Sequence, residues 1–217
     1  MTTMKLEDIM LDNILILAPH TDDGELGCGG TISKFIREGK TVNYVAFSTC
    51  KESVPKGLPD WTLKDELGKA TFALGIPKNN VIVKDYRVRH FPEYRQEILD
   101  DMIVIGKKIK PDLILIPSPH DIHQDHSTIA QEAMRAFKHV CILGYELPWN
   151  NYSFNNQTFS ILEEEDVHNK VKALSCYESQ GFRSYFQEEY LMGMCRAHGI
   201  QIGHPYAEVY ETVRWVF

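Results

Sequence analysis

The sequence lacks long hydrophobic runs and any regular pairing of cysteines. None of its 217 residues lies in an apolar stretch close to the roughly 18 residues that a membrane-spanning helix needs. The start, MTTMKLEDIMLDN, carries acidic residues and no apolar segment of signal-peptide length. The five cysteines include no CxxC pair, which argues against a disulfide framework and a cysteine-based zinc site. We therefore predict a cytoplasmic protein without membrane insertion.

Concentrated positive charge is also scarce. Lysine and arginine total 23 against 30 aspartates and glutamates, which gives a formal net charge of −7. The one short basic run, 107–110, lies where a helix is expected to end, and cations there complement the helix dipole. This distribution predicts no nucleic-acid partner.

Apolar segments alternate with amphipathic ones along most of the chain. Five runs rich in Ile, Leu and Val are predicted strands: 13–18, 42–48, 81–83, 113–117 and 141–147. Four segments between them are predicted helices: 29–40 with Gly39 as its stop, 62–75, 93–110 and 126–139. The alternation predicts a single α/β domain over 1–217, with a Rossmann-like, doubly wound, mostly parallel sheet and helices on both faces.

The pattern loosens after residue 148. We expect a polar loop over 149–157, a helix over 163–180 and a terminal strand over 207–217. These elements are predicted to extend the same domain.

The segment LILAPHTDDGELGCGG (15–30) ends an apolar strand in charged residues and glycines. The glycine spacing is not the GxGxxG of dinucleotide sites, and it is interpreted as a tight strand-to-helix turn. Carboxylates beside a buried strand need a partner or a cation. Because neighbouring side chains of an extended backbone point in different directions, His20 and Asp23 can converge on a metal while Asp22 lies beside it.

A second polar segment, PSPHDIHQDHST (117–128), follows the strand predicted over 113–117. It contains His120, His123 and His126, with two aspartates between them. Each histidine alone is more often a surface or hydrogen-bonded residue, and Asp125 or Ser127 can cap the following helix.

Ligands of such sheets bind at the carboxyl ends of the strands, so the two segments are expected to meet. Together, His20, Asp23 and one histidine of the second segment form a set of two histidines and one carboxylate that leaves metal positions open, as catalytic sites do. Zn²⁺ is favoured, and Fe²⁺, Mn²⁺ or Co²⁺ also fit.

These two segments resemble the motifs of a known family. PHTDDGELGCGGTI resembles the (A/P)HPDDE motif of the LmbE/PIG-L family of zinc-dependent N-acetylglucosamine deacetylases, and HQDH (123–126) resembles its HxDH motif. KALSCYESQ (172–180) and GIQIGHPYAEVYE (199–211) are similar to later parts of the family. Thr21 and Gly24 depart from the first motif.

The resemblance implies a hydrolase that removes an acetyl group from the nitrogen of an N-acetylated amino sugar by means of a metal-activated water. It implies that His20, Asp23 and His126 bind Zn²⁺ and that Asp22 is the general base. His123 would be the electrophilic or acidic partner, protonated beside the acetyl oxygen.

Asp125 is expected to assist catalysis by orienting an imidazole through its second ring nitrogen. His120 has no role in this scheme. Arg87, Arg89 and Arg95 lie in or near the loop after the third predicted strand, where they could contact a phosphate. We interpret them instead as solvated surface residues.

Two other functions remain open on the sequence. A non-haem Fe(II) oxygenase also uses two histidines and one carboxylate, although such enzymes generally have β-rich barrels. A non-catalytic sugar- or nucleotide-binding module could retain the metal site. The sequence leaves open which N-acetyl sugar is bound and whether it is free, nucleotide-linked, lipid-linked or a thiol precursor. It also leaves open whether the chain forms a homo-oligomer.

Overall fold

The computed structural model describes residues 11–216, whose core is a seven-stranded sheet in the order β3-β2-β1-β4-β5-β7-β6. The strands are β1 (Asn13–Ala18), β2 (Thr41–Ala46), β3 (Val81–Val83), β4 (Leu113–Pro117), β5 (Cys141–Tyr145), β6 (Thr158–Leu162) and β7 (Tyr206–Arg214). Strands β1 to β5 are parallel, and β7 is antiparallel to both β5 and β6. The mostly parallel sheet predicted from the sequence is confirmed.

Helices cover both faces of the sheet. They are α1 (Asp23–Arg37), α2 (Thr62–Ala73), α3 (Arg95–Ile109), α4 (Gln124–Ala136), α5 (Glu164–Leu174) and α6 (Glu188–Gln201). Ile14 and Ile16 of β1 belong to a core shared with α1, α2 and α5, while Leu15 and Leu17 belong to a core shared with α3 and α4. Successive side chains of a strand point to opposite faces, so a strand covered on both sides is apolar throughout. No helix within residues 11–216 is long and apolar enough to span a membrane.

The glycines of the first motif are placed differently from the prediction. Helix α1 begins at Asp23 rather than at residue 29 and is kinked at Cys28, whose φ of −145° is not helical. The glycines therefore lie on both sides of a kink within α1 and not in a strand-to-helix turn. A Cβ at Gly24 would lie 2.5 Å from the Tyr44 ring, and one at Gly30 would lie 2.6 Å from Leu162 Cδ1. The missing side chains therefore permit close packing of α1 against the sheet. Gly39, at φ +76°, follows the end of α1 as predicted.

The last third of the chain departs most from the prediction. The helix predicted over 163–180 ends at Leu174, and neither β6 nor α6 was predicted. Two glycines lower the intrinsic helix propensity of α6, which packs along β7. The predicted terminal strand corresponds to β7, but its last residue, Phe217, lies outside the described part, as does the start of the chain, 1–10.

Strands β1 and β4 are neighbours at the centre of the sheet. The chain leaves β1 toward one edge through β2 and β3, and then returns on the other side of β1 at β4. This reversal opens a crevice at the carboxyl ends of the two strands, where ligands of such folds bind. Both predicted polar segments follow these strands and therefore meet there.

Candidate functional site

Three side-chain atoms from the two segments converge on one point. His20 Nδ1 lies 3.0 Å from Asp23 Oδ2 and 3.1 Å from His126 Nε2. The distance from His126 Nε2 to Asp23 Oδ2 is 3.2 Å. The backbone N–H of His20 also donates to Asp23 Oδ2 at 2.8 Å, which holds this carboxylate in place. The convergence of His20 with Asp23 and a second-segment histidine agrees with the sequence analysis.

The other nitrogen of each converging imidazole faces a buried carboxylate. His20 Nε2 lies 2.9 Å from Asp125 Oδ2, and His126 Nδ1 lies 2.7 Å from Asp121 Oδ2. A carboxylate accepts a hydrogen bond, so these contacts assign the proton of each neutral ring to the outer nitrogen. The lone pairs of His20 Nδ1 and His126 Nε2 then point toward each other and toward Asp23. Such an arrangement is typical of histidines that bind a metal.

The donor set fits a divalent ion of the size of Zn²⁺. Ligand bonds of about 2.0–2.1 Å at tetrahedral angles would separate ligand atoms by about 3.3 Å, close to the 3.0–3.2 Å observed. A nitrogen of His123 also lies within 4.8 Å of nitrogens of His20 and His126. His20, Asp23 and His126 are the more closely convergent set, because their three atoms lie within 3.2 Å of one another.

His123 is the N-cap of α4, and its Nδ1 accepts a hydrogen bond from the backbone N–H of Asp125 at 3.2 Å. The capping residue expected from the sequence, Asp125 or Ser127, was therefore wrong. Burial, with the charges of His126 and His20, lowers the pKa of His123 to about 4. A ring with this pKa is neutral near pH 7, in contrast to the protonated form expected from the sequence. With Nδ1 accepting, Nε2 carries the proton and can donate it in a hydrogen bond.

The carboxylates favour positive charge at the point of convergence. Burial lowers the pKa of His20, but the charge of Asp23 and hydrogen bonds to Asp125 and Asp23 outweigh this and raise it to about 9. The same balance, with Asp23 and Asp121, raises the pKa of His126 to about 10. Burial opposes ionisation of Asp23, yet the two histidines hold its pKa well below the usual value. Protons or a divalent ion can supply this charge.

Asp22 lies beside the cluster as the N-cap of α1, and its side chain makes no capping hydrogen bond. Burial and the neighbouring charge of Asp23 raise the pKa of Asp22 to about 6. A carboxyl group with this pKa can both accept and donate a proton near neutral pH.

Asp22, His20, Asp23, His123 and His126 line one cavity of about 360 Å³. Its further walls come from segments after β2, β3, β5 and α5, and they include Ser53, Arg89, Trp149, Asn150, Gln180, Arg183 and Tyr185. The rings of Trp149 and Tyr185 stack with their centroids 4.0 Å apart. The cavity is therefore deep enough for a small molecule and joins a potential metal centre to an aromatic and polar wall.

Comparison with known proteins agrees with this geometry. The model of the family described as "PIG-L: GlcNAc-PI de-N-acetylase" matches residues 15–137, which is more than half of the chain and contains both motifs. The chain belongs to this family. The family resemblance inferred from the sequence is thereby confirmed.

Two curated relatives are deacetylases by name. The uncharacterized deacetylase YaiS of Escherichia coli K12 is 30% identical over 76% of this chain and 90% of its own length. The diacetylchitobiose deacetylase of Thermococcus kodakarensis is 23% identical over 94% of this chain and 84% of its own length.

Solved structures share the fold. The N,N′-diacetylchitobiose deacetylase of Pyrococcus horikoshii, complexed with an inhibitor, has a TM-score of 0.76 at 22% identity, covering 92% of this chain and 83% of its own. GalB, the 4-carboxy-2-hydroxymuconate hydratase of Pseudomonas putida, has a TM-score of 0.76 at 17% identity, covering 94% and 97%. The PIG-L family fold therefore also carries a reaction other than deacetylation.

Asp125 and His120, two polar residues of the second segment, both lie outside the cavity lining. Asp125 is fully buried and accepts from the backbone N–H groups of Arg89 and Phe91 as well as facing His20. Its carboxylate therefore contacts an imidazole and does not line the cavity. His120 is half-exposed, faces Glu211 and does not line the cavity.

Asp121 and the far wall of the cavity had no role predicted from the sequence. Asp121 lies five residues before His126 in the same polar segment, 117–128, but the sequence does not distinguish it from Asp125. Arg183 and Tyr185 follow the segment 172–180 that resembles the family, yet their approach to the cavity depends on the folding of the chain after α5. Arg89, interpreted as a solvated surface residue, also lines the cavity.

Proposed function

We propose that the whole chain acts as one metal-dependent deacetylase domain that hydrolyses the acetamide of an N-acetylated amino sugar. The observation that carries this proposal is the convergence of His20 Nδ1, Asp23 Oδ2 and His126 Nε2 within 3.2 Å of one another, with Asp22 beside them. These three residues would hold the ion, with Zn²⁺ as the favoured metal. A cytoplasmic location of the protein remains a prediction.

A bound divalent ion would lower the pKa of a coordinated water to about 7 and polarise the acetyl carbonyl. Asp22 accepts the proton of the attacking water, for which its pKa of about 6 is suited. The Nε2–H of His123 donates to the acetyl oxygen as negative charge develops there. Because His123 is neutral, Asp22 also returns the proton to the departing nitrogen when the C–N bond breaks. The products are acetate and a free amine.

Aspartates 121 and 125 position the machinery without touching substrate. Each accepts a hydrogen bond from the outer nitrogen of one histidine and fixes the tautomer that offers a lone pair inward. Both carboxylates are buried, so little solvent competes for these contacts.

An amino-sugar substrate is supported by the family description and by the name of the Thermococcus relative, a diacetylchitobiose deacetylase. The cavity wall agrees with this substrate class. Trp149 and Tyr185 offer aromatic surface next to the amides of Asn150 and Gln180, which suits a ring with apolar C–H faces and polar hydroxyl groups.

Other reactions are less well supported. The hydratase GalB is 17% identical and shares the fold alone. The parallel α/β sheet differs from the β-rich barrels of the oxygenase alternative. A non-catalytic module has no need for the half-buried carboxylate of Asp22 beside the cluster.

The test is acetate release from a panel of N-acetylated sugars by protein loaded with Zn²⁺, and by the same protein after removal of metal with a chelator. We expect release by the loaded protein, loss on chelation and recovery when metal is restored. His126→Ala should lose both the metal and the activity. His168→Ala is the matched control, since His168 is exposed on α5 and outside the cavity.

Absence of acetate release from every probe by fully loaded protein would overturn the deacetylase proposal. Full metal content in His126→Ala would overturn the ligand set and point to His123 as the third ligand.

A further inference from the structure

Two arginines line the cavity, and neither forms an ion pair with a carboxylate among residues 11–216. Arg89 approaches from the loop after β3, and Arg183 approaches from the segment between α5 and α6. Of the other six arginines, four pair with carboxylates, namely Arg37, Arg87, Arg95 and Arg135. Arg214 donates to two backbone carbonyls, and Arg196 is exposed on α6. In a chain with net charge −7, one cavity thus has in its wall two guanidinium groups without a carboxylate partner among the described residues.

Arg183 is held in place by buried side chains. Its Nε donates to Gln180 Oε1 at 2.8 Å, and Gln180 is only 3% exposed. Gln180 in turn donates to Ser179 Oγ, which donates to the buried carboxylate of Glu66. The guanidinium also lies 5.7 Å from the centroid of the Tyr185 ring. A guanidinium has five N–H donors, and Gln180 occupies one, so a pre-oriented group can bind an anion with the others.

Arg89 is fixed through its backbone to the metal-site residues. Its N–H donates to Asp125 Oδ2, the atom that also faces His20 Nε2. The residue has φ +68°, a left-handed conformation that is unfavourable for a residue with a Cβ. Its guanidinium reaches only Ser53 Oγ, at 3.5 Å. The exposed guanidinium thus lies next to Ser53, another residue of the cavity wall.

The acetamide and the sugar ring of a neutral substrate would leave both cations without a partner. We propose that Arg89 and Arg183 bind an anionic substituent of the substrate, a phosphate or a carboxylate attached to the N-acetylated amino sugar. This inference rests on the proposed deacetylase function. Guanidinium groups bind the oxygens of both kinds of anion with paired, charge-assisted hydrogen bonds.

Arg183 also acts on the catalytic base. Burial and Asp23 raise the pKa of Asp22, and the charge of His20 and, less strongly, that of the Arg183 guanidinium oppose this rise. A loss of turnover in an Arg183 variant would therefore not identify an anion subsite by itself. The experiment has to compare charged and neutral substrates on the same variant.

The probes are N-acetylglucosamine, its 1-phosphate, its 6-phosphate, its uridine-diphosphate conjugate, and N-acetylmuramic acid as a carboxylate. We expect kcat/KM of the Zn²⁺-loaded protein to be highest for one of the anionic probes. The ratio of its kcat/KM to that of N-acetylglucosamine should fall about 10–100-fold in Arg183→Gln and in Arg89→Gln. Arg183→Lys should keep part of the ratio, because it retains the charge but not the planar group. Arg196→Gln, at an exposed position of α6 outside the cavity, is the matched control and should leave the ratio unchanged.

Calorimetric binding of the same probes gives a readout that does not depend on turnover. Anionic probes should bind more tightly than N-acetylglucosamine, and the difference should shrink in both arginine variants and at high salt. An equal fall of kcat/KM for charged and neutral probes would overturn the subsite while leaving the deacetylase function intact. If no probe releases acetate, the proposed function fails and calorimetry alone tests the subsite. Binding of an anionic probe that depends on the two arginines would then support the subsite. Equal binding of charged and neutral probes would refute it.

Discussion

Separate replacement of Asp22 and Asp23 by asparagine should divide metal binding from catalysis. The two residues are adjacent and both are acidic, so residue type alone predicts the same effect of the two substitutions on metal binding and activity. In the structure, Asp23 Oδ2 lies 3.0 Å from His20 Nδ1 and 3.2 Å from His126 Nε2. Asp22 caps α1 and makes no capping hydrogen bond. The two substitutions therefore remove different things.

Asp23→Asn replaces the anionic member of the converging set with a neutral amide. Loss of a group that only supports a metal ligand commonly weakens metal binding by about 10–100-fold, so loss of the carboxylate itself should exceed about 100-fold. The asparagine protein should contain almost no metal after desalting, and its activity should be lost with the ion.

Asp22→Asn leaves the converging atoms in place and removes the proposed base. General acid–base groups contribute about 10²–10⁴-fold to rate, which corresponds to about 3–5 kcal/mol of activation free energy at 1.36 kcal/mol for each tenfold change. We therefore expect about one ion per chain, as in the wild type, and a kcat lower by this factor. Asp100→Asn, on the exposed surface of α3, controls for the loss of one charge.

The assay measures zinc content by elemental analysis and acetate release on the same preparations, with circular dichroism to verify folding. Wild-type turnover of Asp22→Asn would refute the assignment of the base even if the family and the metal site are correct. Metal loss in both variants would instead mean that both carboxylates bind the ion.

Three further predictions test individual contacts. Asp121→Asn should weaken Zn²⁺ binding about 10–100-fold in a chelator competition, because it removes the acceptor that fixes a ligand tautomer; unchanged affinity would show that this contact is dispensable. His123→Ala should keep the metal and lower kcat about 10²–10³-fold, as loss of an oxyanion donor does, whereas metal loss would make it a ligand. In urea unfolding, Gly27→Ala should destabilise the protein by about 1–3 kcal/mol, because its Cβ would overlap the ring of Tyr145. Gly68→Ala, where a Cβ meets nothing within 4 Å, should instead stabilise α2 by up to about 1 kcal/mol, and equal effects of both would contradict the packing explanation.

Strands β1 to β5 and the two polar segments could be predicted from the sequence because their signals are local. Continuous apolar runs identify strands buried on both faces, and alternation with helical segments implies parallel strands. Parallel strands place their carboxyl ends on one edge, so the residues after 13–18 and 113–117 had to lie on the same side of the sheet. The ligand types in these segments then indicated a metal.

Other features depended on contacts between distant parts of the chain. The glycines of α1 suit a turn when considered alone, and only the approach of Tyr44 and Leu162 explains them as packing positions. Helix α6 has a low intrinsic helix propensity and is stabilised by its packing against β7. Helix propensity describes a segment alone and does not include this contact.

The site shows the same division between sequence and tertiary structure. The sequence by itself determined that histidines and carboxylates meet at the centre of the sheet. Only the tertiary structure decided that Asp125 faces His20, 105 residues away, and that Asp121 faces His126. The same holds for the arrival of Arg89 and Arg183 at one cavity. The partner of each hydrogen bond and the convergence of side chains depend on how elements distant in the sequence pack together. Residue type and spacing along the chain do not determine them.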